Sequence, residues 1–301
     1  MSGLGHFRSD AAFDHYRAAY EAGLAELPSF DDSADVSTRF GAVRSYRFGA
    51  ADTSCPPVVL LPGRNASTPM WRANLPSLIG RRTVYCLDLL GEAGMSVQTR
   101  PLTGPEDQAL WIDETLAGLG LDRAHLMGVS IGGWTATNCA VHRPDRVASL
   151  TLLDPAMTFA RIPVRTALVS AALFLPVPEV LRRRVFSWIS GGAPVDDSVP
   201  EAELLSAASA DFVLRAPMPK VFTDDQLRSL QMPVLALLAG RSVMHDAARA
   251  AARARNLLPH GQVELWTDAS HAINGEYAVE IAEVAAGFWR GVDGSGSGAS
   301  I

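Results

Sequence analysis

Five short stretches of this 301-residue chain are apolar at almost every position, Val58–Leu61, Thr83–Leu87, Ala124–Gly128, Ala148–Leu153 and Pro233–Leu238, and a sixth, Gln262–Trp266, is a weaker version. A strand with one wet face alternates. A strand that is apolar throughout must be covered on both faces, which is the situation of a parallel sheet sandwiched between helices. Helical spacing fills the intervals, most clearly at 105–119 and 131–142. Strands alternating with helices predict an α/β fold with a doubly wound, mostly parallel sheet. Upstream, Phe13, Tyr16, Tyr20, Leu24 and Leu27 recur at helical spacing over 9–27, before Pro28. Residues 37–48 alternate and carry aromatics, predicting an early strand or hairpin.

One interval breaks the rhythm. Between Leu153 and Pro233 the apolar stretches have helical spacing and are interrupted by seven prolines from Pro163 to Pro219. The chain therefore divides into an N-terminal helical segment (1–36), a core (37–154 and 232–290) and a helical lid insertion (155–231). The last residues, 291–301, have the glycine and serine content of a flexible tail.

Composition excludes several classes. Apolar residues make up 48% and charged ones 19%, too apolar for a disordered chain. Basic residues number 26 and acidic ones 32, a net charge of −6. No basic patch beyond Arg182-Arg183-Arg184 offers itself to nucleic acid. No run reaches the roughly 18 apolar residues of a membrane span, and the N-terminus lacks a secretory apolar segment. A cytoplasmic location is expected. The three cysteines are neither paired nor spaced for a disulfide scaffold or a thiolate metal site.

The strongest local motif is Gly128-Val129-Ser130-Ile131-Gly132-Gly133, set between a buried strand and a helix. A serine on such a sharp turn projects its hydroxyl above the sheet, and the flanking glycines let strand and helix close up. The Ile131 N–H then sits at a helix N-terminus, where donors and dipole favour a developing oxyanion. A serine hydroxyl needs a base. His271 follows the last strand and precedes the last helix, which puts it at the same carboxyl edge as Ser130. His6 and His15 lie in the N-terminal segment, His125 at the beginning of a strand, His142 at a helix end and His260 in a turn.

With these residues in place the chain resembles the α/β-hydrolase-fold serine hydrolases over roughly 37–290. Asp88-Leu89-Leu90-Gly91-Glu92-Ala93-Gly94-Met95-Ser96 is similar to the family's D-x-x-G-x-G-x-S segment. His142-Arg143-Pro144-Asp145-Arg146-Val147 and Leu152-Leu153-Asp154-Pro155-Ala156 are similar to the run after the elbow helix. The N-terminal helix and the Asp88–Ser96 wording resemble the bacterial carboxylesterase-like subgroup. The resemblance implies a structural role for Asp88 and makes the Arg64 N–H the second oxyanion donor, in Pro62-Gly63-Arg64-Asn65, where the family usually has His-Gly. The Arg64 side chain is expected to face solvent. Glu276 is expected to cap a helix.

The acid departs from the pattern. The family usually places it three residues after the glycine that ends the penultimate strand; that glycine is Gly240, and the position holds Val243. An imidazole base still needs a carboxylate to fix its tautomer. Two candidates stand at the carboxyl edge: Asp154 after the fourth run is the expected acid, and Asp246 in Met244-His245-Asp246 is the alternative. Both keep the order Ser…Asp…His.

These readings predict a serine hydrolase without cofactor or metal, since no metal, nucleotide or dinucleotide motif is present. Its partner is a small-molecule ester. Apolar side chains of the insertion, among them Phe159, Leu168, Phe174, Val180, Val185 and Trp188, predict a mainly apolar pocket for a small or medium carboxylic ester or lactone, cleaved through an acyl-enzyme. A biosynthetic acyltransferase, thioesterase or cyclase would use the same acyl-enzyme. A non-catalytic ligand receptor is the reading that the missing acid at Val243 favours.

Overall fold

A computed structural model describes residues 3–49, 54–171, 178–191 and 200–296. Eight principal strands form its main sheet: β1 Asp32–Thr38, β2 Gly41–Phe48, β3 Val58–Leu61, β4 Val84–Leu87, β5 Ala124–Val129, β6 Val147–Leu153, β7 Val234–Ala239 and β8 Gly261–Trp266. Their spatial order is β1-β2-β4-β3-β5-β6-β7-β8, with the two-residue strand Val97–Gln98 beside β2. From β4 to β8 every pairing is parallel, while β1 and β2 run antiparallel at one edge.

The eight longer helices are α1 Asp10–Ala25, α2 Pro105–Gly118, α3 Ile131–His142, α4 Val164–Ala171, α5 Glu179–Ile189, α6 Pro200–Asp211, α7 Ala247–Leu257 and α8 Ala278–Gly296. The apolar strands are buried because their two faces feed two cores. On β3, Val59 and Leu61 pack with Trp111 and Trp134 of α2 and α3. Val58 and Leu60 pack on the other side with Tyr16 of α1 and Trp289 of α8. The same division holds on β7, with Ala236 and Leu238 facing α7 and Leu235 and Leu237 facing the opposite core. β8, at the sheet edge, is only half-buried.

Backbone contact fixes the centre of the sheet. A Cβ on Gly132 would lie 2.0 Å from the Leu61 carbonyl oxygen, and one on Gly128 would lie 2.3 Å from the Gly132 carbonyl carbon. The N-terminus of α3 is thus pressed against the ends of β3 and β5, which only glycine permits.

The expected segment boundaries need three adjustments. β1 begins at Asp32, so the 36/37 boundary falls inside a strand of the sheet. Its sequence DSADVST is polar with one buried residue, Val36, and pairing with β2 rather than propensity makes it a strand. The N-terminal segment is not separate from the insertion either: His6–Phe7 pairs antiparallel with Phe212–Val213, and Phe7 meets the Tyr16 and Phe212 rings with centroids 5.0 Å apart. Finally α8 continues to Gly296, so 291–296 are helical rather than tail. Residues 297–301 lie outside the described ones. In the insertion α4, α5 and α6 are helical as the spacing predicted, with Phe159 and Val185 buried and Leu168 and Val180 exposed. Phe174 lies outside the described residues.

The Gly128–Gly132 contact gives a direct test. Gly132→Ala drives a methyl into two backbone carbonyls, and overpacking of this kind costs about 3 kcal/mol. Urea unfolding of the variant is expected to show that loss, with an unchanged slope against denaturant.

Candidate functional site

Ser130 occupies the turn between β5 and α3 at φ 53° and ψ −118°. Such a backbone costs a non-glycine residue about 1–3 kcal/mol, and hydrogen bonds on both sides hold it. The Ser130 N–H donates to the Leu153 carbonyl at 3.0 Å, and its carbonyl accepts from the N–H groups of Trp134 and Ala156, each at 3.2 Å. Among described non-glycine residues the other positive-φ positions are Asn65, Asp154 and Met157, so strained backbone gathers around this serine.

Strand register brings Asp154 alongside. β5 and β6 pair Val129 with Leu153, so Ser130 and Asp154 are the next residues off two neighbouring strand ends. Asp154 is fully buried. Its Oδ1 accepts the Ala239 N–H at 3.0 Å, and its Oδ2 accepts the Ser242 hydroxyl at 2.6 Å. His271 spans the gap, with Nδ1 2.5 Å from Asp154 Oδ2 and Nε2 3.0 Å from Ser130 Oγ. Burial by itself would raise the Asp154 carboxyl. The neighbouring His245 and His271 outweigh that and hold it well below the usual carboxylate range.

The His271 loop is braced from within. Glu276 accepts the Ser270 N–H at 2.8 Å and the Ser270 hydroxyl at 2.7 Å, and that hydroxyl accepts the Ala272 N–H at 3.1 Å. Glu276 therefore ties the loop to the short helix Ile273–Glu276.

On the other side of Ser130 lies the loop after β3. The Cβ position of Gly63 is 3.7 Å from Ser130 Cβ. The Gly63 N–H donates to Met70 Sδ at 3.2 Å, and Asn65 Nδ2 donates to the Ser209 hydroxyl of α6 at 3.0 Å. The Arg64 side chain corrects the expectation. It does not face solvent but pairs with Glu92, Nη1 to Oε1 at 3.4 Å, where Glu92 is almost fully buried. Burial raises the Glu92 carboxyl, and the Arg64 charge opposes that rise. Asp88 fastens the same region: Thr68 N–H and hydroxyl reach its Oδ1 and the Met95 N–H its Oδ2, each at 2.8 Å. Ile131 is the first residue of α3, so its N–H has no partner within the helix.

The structure thus assembles Ser130, His271 and Asp154, with Ile131 and the Arg64 loop beside them, and leaves Asp246 out. Asp246 is the N-cap of α7, accepting the Arg249 N–H at 3.0 Å. Two residues of the group escaped sequence reasoning. Ser242 bonds Asp154 directly, and the buried His245 has Nε2 3.1 Å from Asp154 Oδ1, off the line of a hydrogen bond. The available signal was position alone: both lie on the loop where the acid was expected.

A serine hydroxyl, an imidazole and an ionised carboxylate in this line can transfer a proton from the serine to the imidazole as the oxygen attacks a carbonyl. The capping role of Asp246 has its own test. Asp246→Ala is expected to cost about 1 kcal/mol of unfolding free energy, and Asp246→Asn almost none because asparagine caps as well. Denaturant titration of the two variants checks this.

Comparison with known proteins places the fold. A sequence profile of the α/β hydrolase fold matches residues 56–175. The chain is 28% identical to the uncharacterized carboxylesterase nap of Bacillus subtilis, over 91% of this chain and 92% of that one. It is 27% identical to the carboxylesterase YbfK of the same organism, over 86% and 88%. The solved structure of naproxen esterase (carboxylesterase NP) from Bacillus subtilis superposes with a TM-score of 0.85 at 27% identity, covering 93% of this chain and 99% of that one. That of carboxylesterase CesB (YbfK) from the same organism gives 0.84 at 26%, covering 94% and 99%. The chain thus has the α/β-hydrolase fold and is similar over most of its length to carboxylesterases of that fold.

Proposed function

We propose that this protein is a cytoplasmic serine hydrolase that cleaves small or medium, mainly apolar carboxylic esters or lactones through an acyl-enzyme. The observation that carries this reading is His271 standing between Ser130 and Asp154 at 3.0 and 2.5 Å. Ser130 Oγ attacks the ester carbonyl while His271 Nε2 takes its proton. The tetrahedral oxyanion is held by the N–H groups of Ile131 and Arg64. His271 then gives the proton to the departing alkoxide, leaving Ser130 acylated. Water, deprotonated by the same nitrogen, attacks the acyl carbon and frees the acid. Asp154 holds the Nδ1–H tautomer and stabilises the imidazolium formed in both halves.

The substrate class follows from the insertion, which we read as a lid. The Thr166 hydroxyl of α4 donates to the Val243 carbonyl at 2.6 Å, and Gly191, just past α5, accepts from Arg241 at 2.7 Å. These helices therefore border the loops that carry the acid's donors. They present Val164, Leu168 and Val180 uncovered, at 75%, 70% and 65% exposure. We read this uncovered apolar surface as facing the substrate, where it favours alkyl and aryl groups over charged ones.

Two measurements test the proposal. A fluorophosphonate probe is expected to label wild type and not Ser130→Ala, and Asp154→Asn is expected to lower kcat by on the order of 10³–10⁴ while Asp246→Asn leaves it near wild type. A larger effect at Asp246 overturns the assignment of the acid. In a panel of p-nitrophenyl esters, alkyl acyl groups from acetate to octanoate are expected to exceed succinate and sugar acids in kcat/KM. The reverse order overturns the apolar pocket.

A further inference from the structure

The loop from Gly240 to Asp246 is where the α/β-hydrolase pattern seeks the acid, and here it carries Val243 instead. In this fold the loop and the strand end before it surround the acid supplied by β6. Ala239 N–H and Ser242 Oγ donate to the two oxygens of Asp154, and His245 closes the group from the same segment. The His245 side chain is 1% exposed, and its Nε2 lies 3.1 Å from Asp154 Oδ1. Neither of its ring nitrogens has a partner with hydrogen-bond geometry among the described residues. A buried imidazole with both nitrogens unmatched is costly, and a small rotation would put an Nε2–H on the carboxylate.

We propose, on the reading of the site given above, that His245 is a positioning residue that donates to Asp154 and keeps that carboxylate anionic and aligned while His271 takes and returns the serine proton. Asp154 then has one imidazole on each oxygen. The His271 contact is short enough for its Nδ1 proton to be drawn toward the carboxylate once His271 is positive. Each further donor on Asp154 lowers its basicity and leaves the proton on His271, ready at Nε2 for the leaving group. Among the described residues His245 faces the charge of Asp154 from β6, which it shares with His271 from the loop after β8, while on its own loop Arg241 turns to the Gly191 carbonyl and Asp246 to the Arg249 N–H.

His245→Met keeps buried volume without a donor, and His245→Gln keeps an N–H donor. Losing the donor makes Asp154 more basic, which stabilises the His271 imidazolium. The acid limb of the kcat/KM profile of His245→Met is therefore expected to move to higher pH. Its kcat is expected to fall about tenfold with KM unchanged, the worth of one hydrogen bond. His245→Gln is expected to stay within about threefold of wild type with the acid limb in place. A Met variant with wild-type kcat and acid limb overturns the proposal, as does a Gln variant that falls as far as the Met one. Should the Met variant not fold, the acid limb of the Gln variant decides: unmoved supports the proposal, moved to higher pH overturns it. Fluorophosphonate labelling separates the two levels. An unlabelled wild type overturns the reading of the site and this inference with it, whereas a labelled wild type beside a Met variant of undiminished kcat overturns the inference alone.

Discussion

A carboxylate taken wholly out of water is several kcal/mol less stable than in solution unless donors replace the water. Asp154 is such a group, and the arrangement at the carboxyl edge of the sheet follows from supplying those donors. One comes from the backbone at the end of β7, one from the Ser242 hydroxyl and one from His271 on the loop after β8. Two chain segments, the end of β7 with its loop and the loop after β8, are thus fastened to one side chain, and the pairing of Val129 with Leu153 puts that side chain next to Ser130. The serine, the imidazole and the acid are aligned because the cheapest way to bury the acid also aligns them.

The same device recurs at each loop of this edge. Asp88 gathers Thr68 and Met95, Glu276 gathers the residues before His271, and Glu92 takes the Arg64 guanidinium. Their ionisation differs in a telling way. Burial pushes Asp88 and Glu92 above the usual carboxylate range, whereas Asp154 is held below it. At Asp88 and Glu92 burial outweighs the donors and the Arg64 charge, and at Asp154 the two imidazoles outweigh burial. Asp154 is the acid that the proposed reaction needs ionised, and of the three it is the one that faces imidazoles.

Most of this was legible in the sequence where a residue's environment is local. The apolar runs from β3 to β7 gave themselves away because both of their faces are covered, and the strand–serine–helix turn is contiguous in the chain. β1 was half missed because its polar residues are held by pairing with β2 alone. The His6–Phe7 and Phe212–Val213 ribbon joins residues some two hundred positions apart, beyond any local pattern. Arg64 was misjudged for a similar reason. Its exposure depends on Glu92, which the Asp88–Ser96 loop carries underneath it. The choice between Asp154 and Asp246 could not be made from edge position, since both lie at the right edge. It turns on which carboxylate reaches His271, and Asp154 does while Asp246 caps the first turn of α7.

What a histidine base requires is a carboxylate at Nδ1, and no rule of chemistry says which strand must deliver it. Moving the acid from the end of β7 to the end of β6 keeps that contact, because the two strands are parallel neighbours whose ends open on the same crevice. The move has a consequence for the vacated loop. Left apolar, it would have faced a buried charge with nothing to offer, at a cost larger than the contact with His271 returns. Here the segment gives a backbone N–H, a hydroxyl and an imidazole to the acid it no longer supplies. On the proposed assignment of the acid, the loop after β7 serves the carboxylate from its flank, through Ala239, Ser242 and His245.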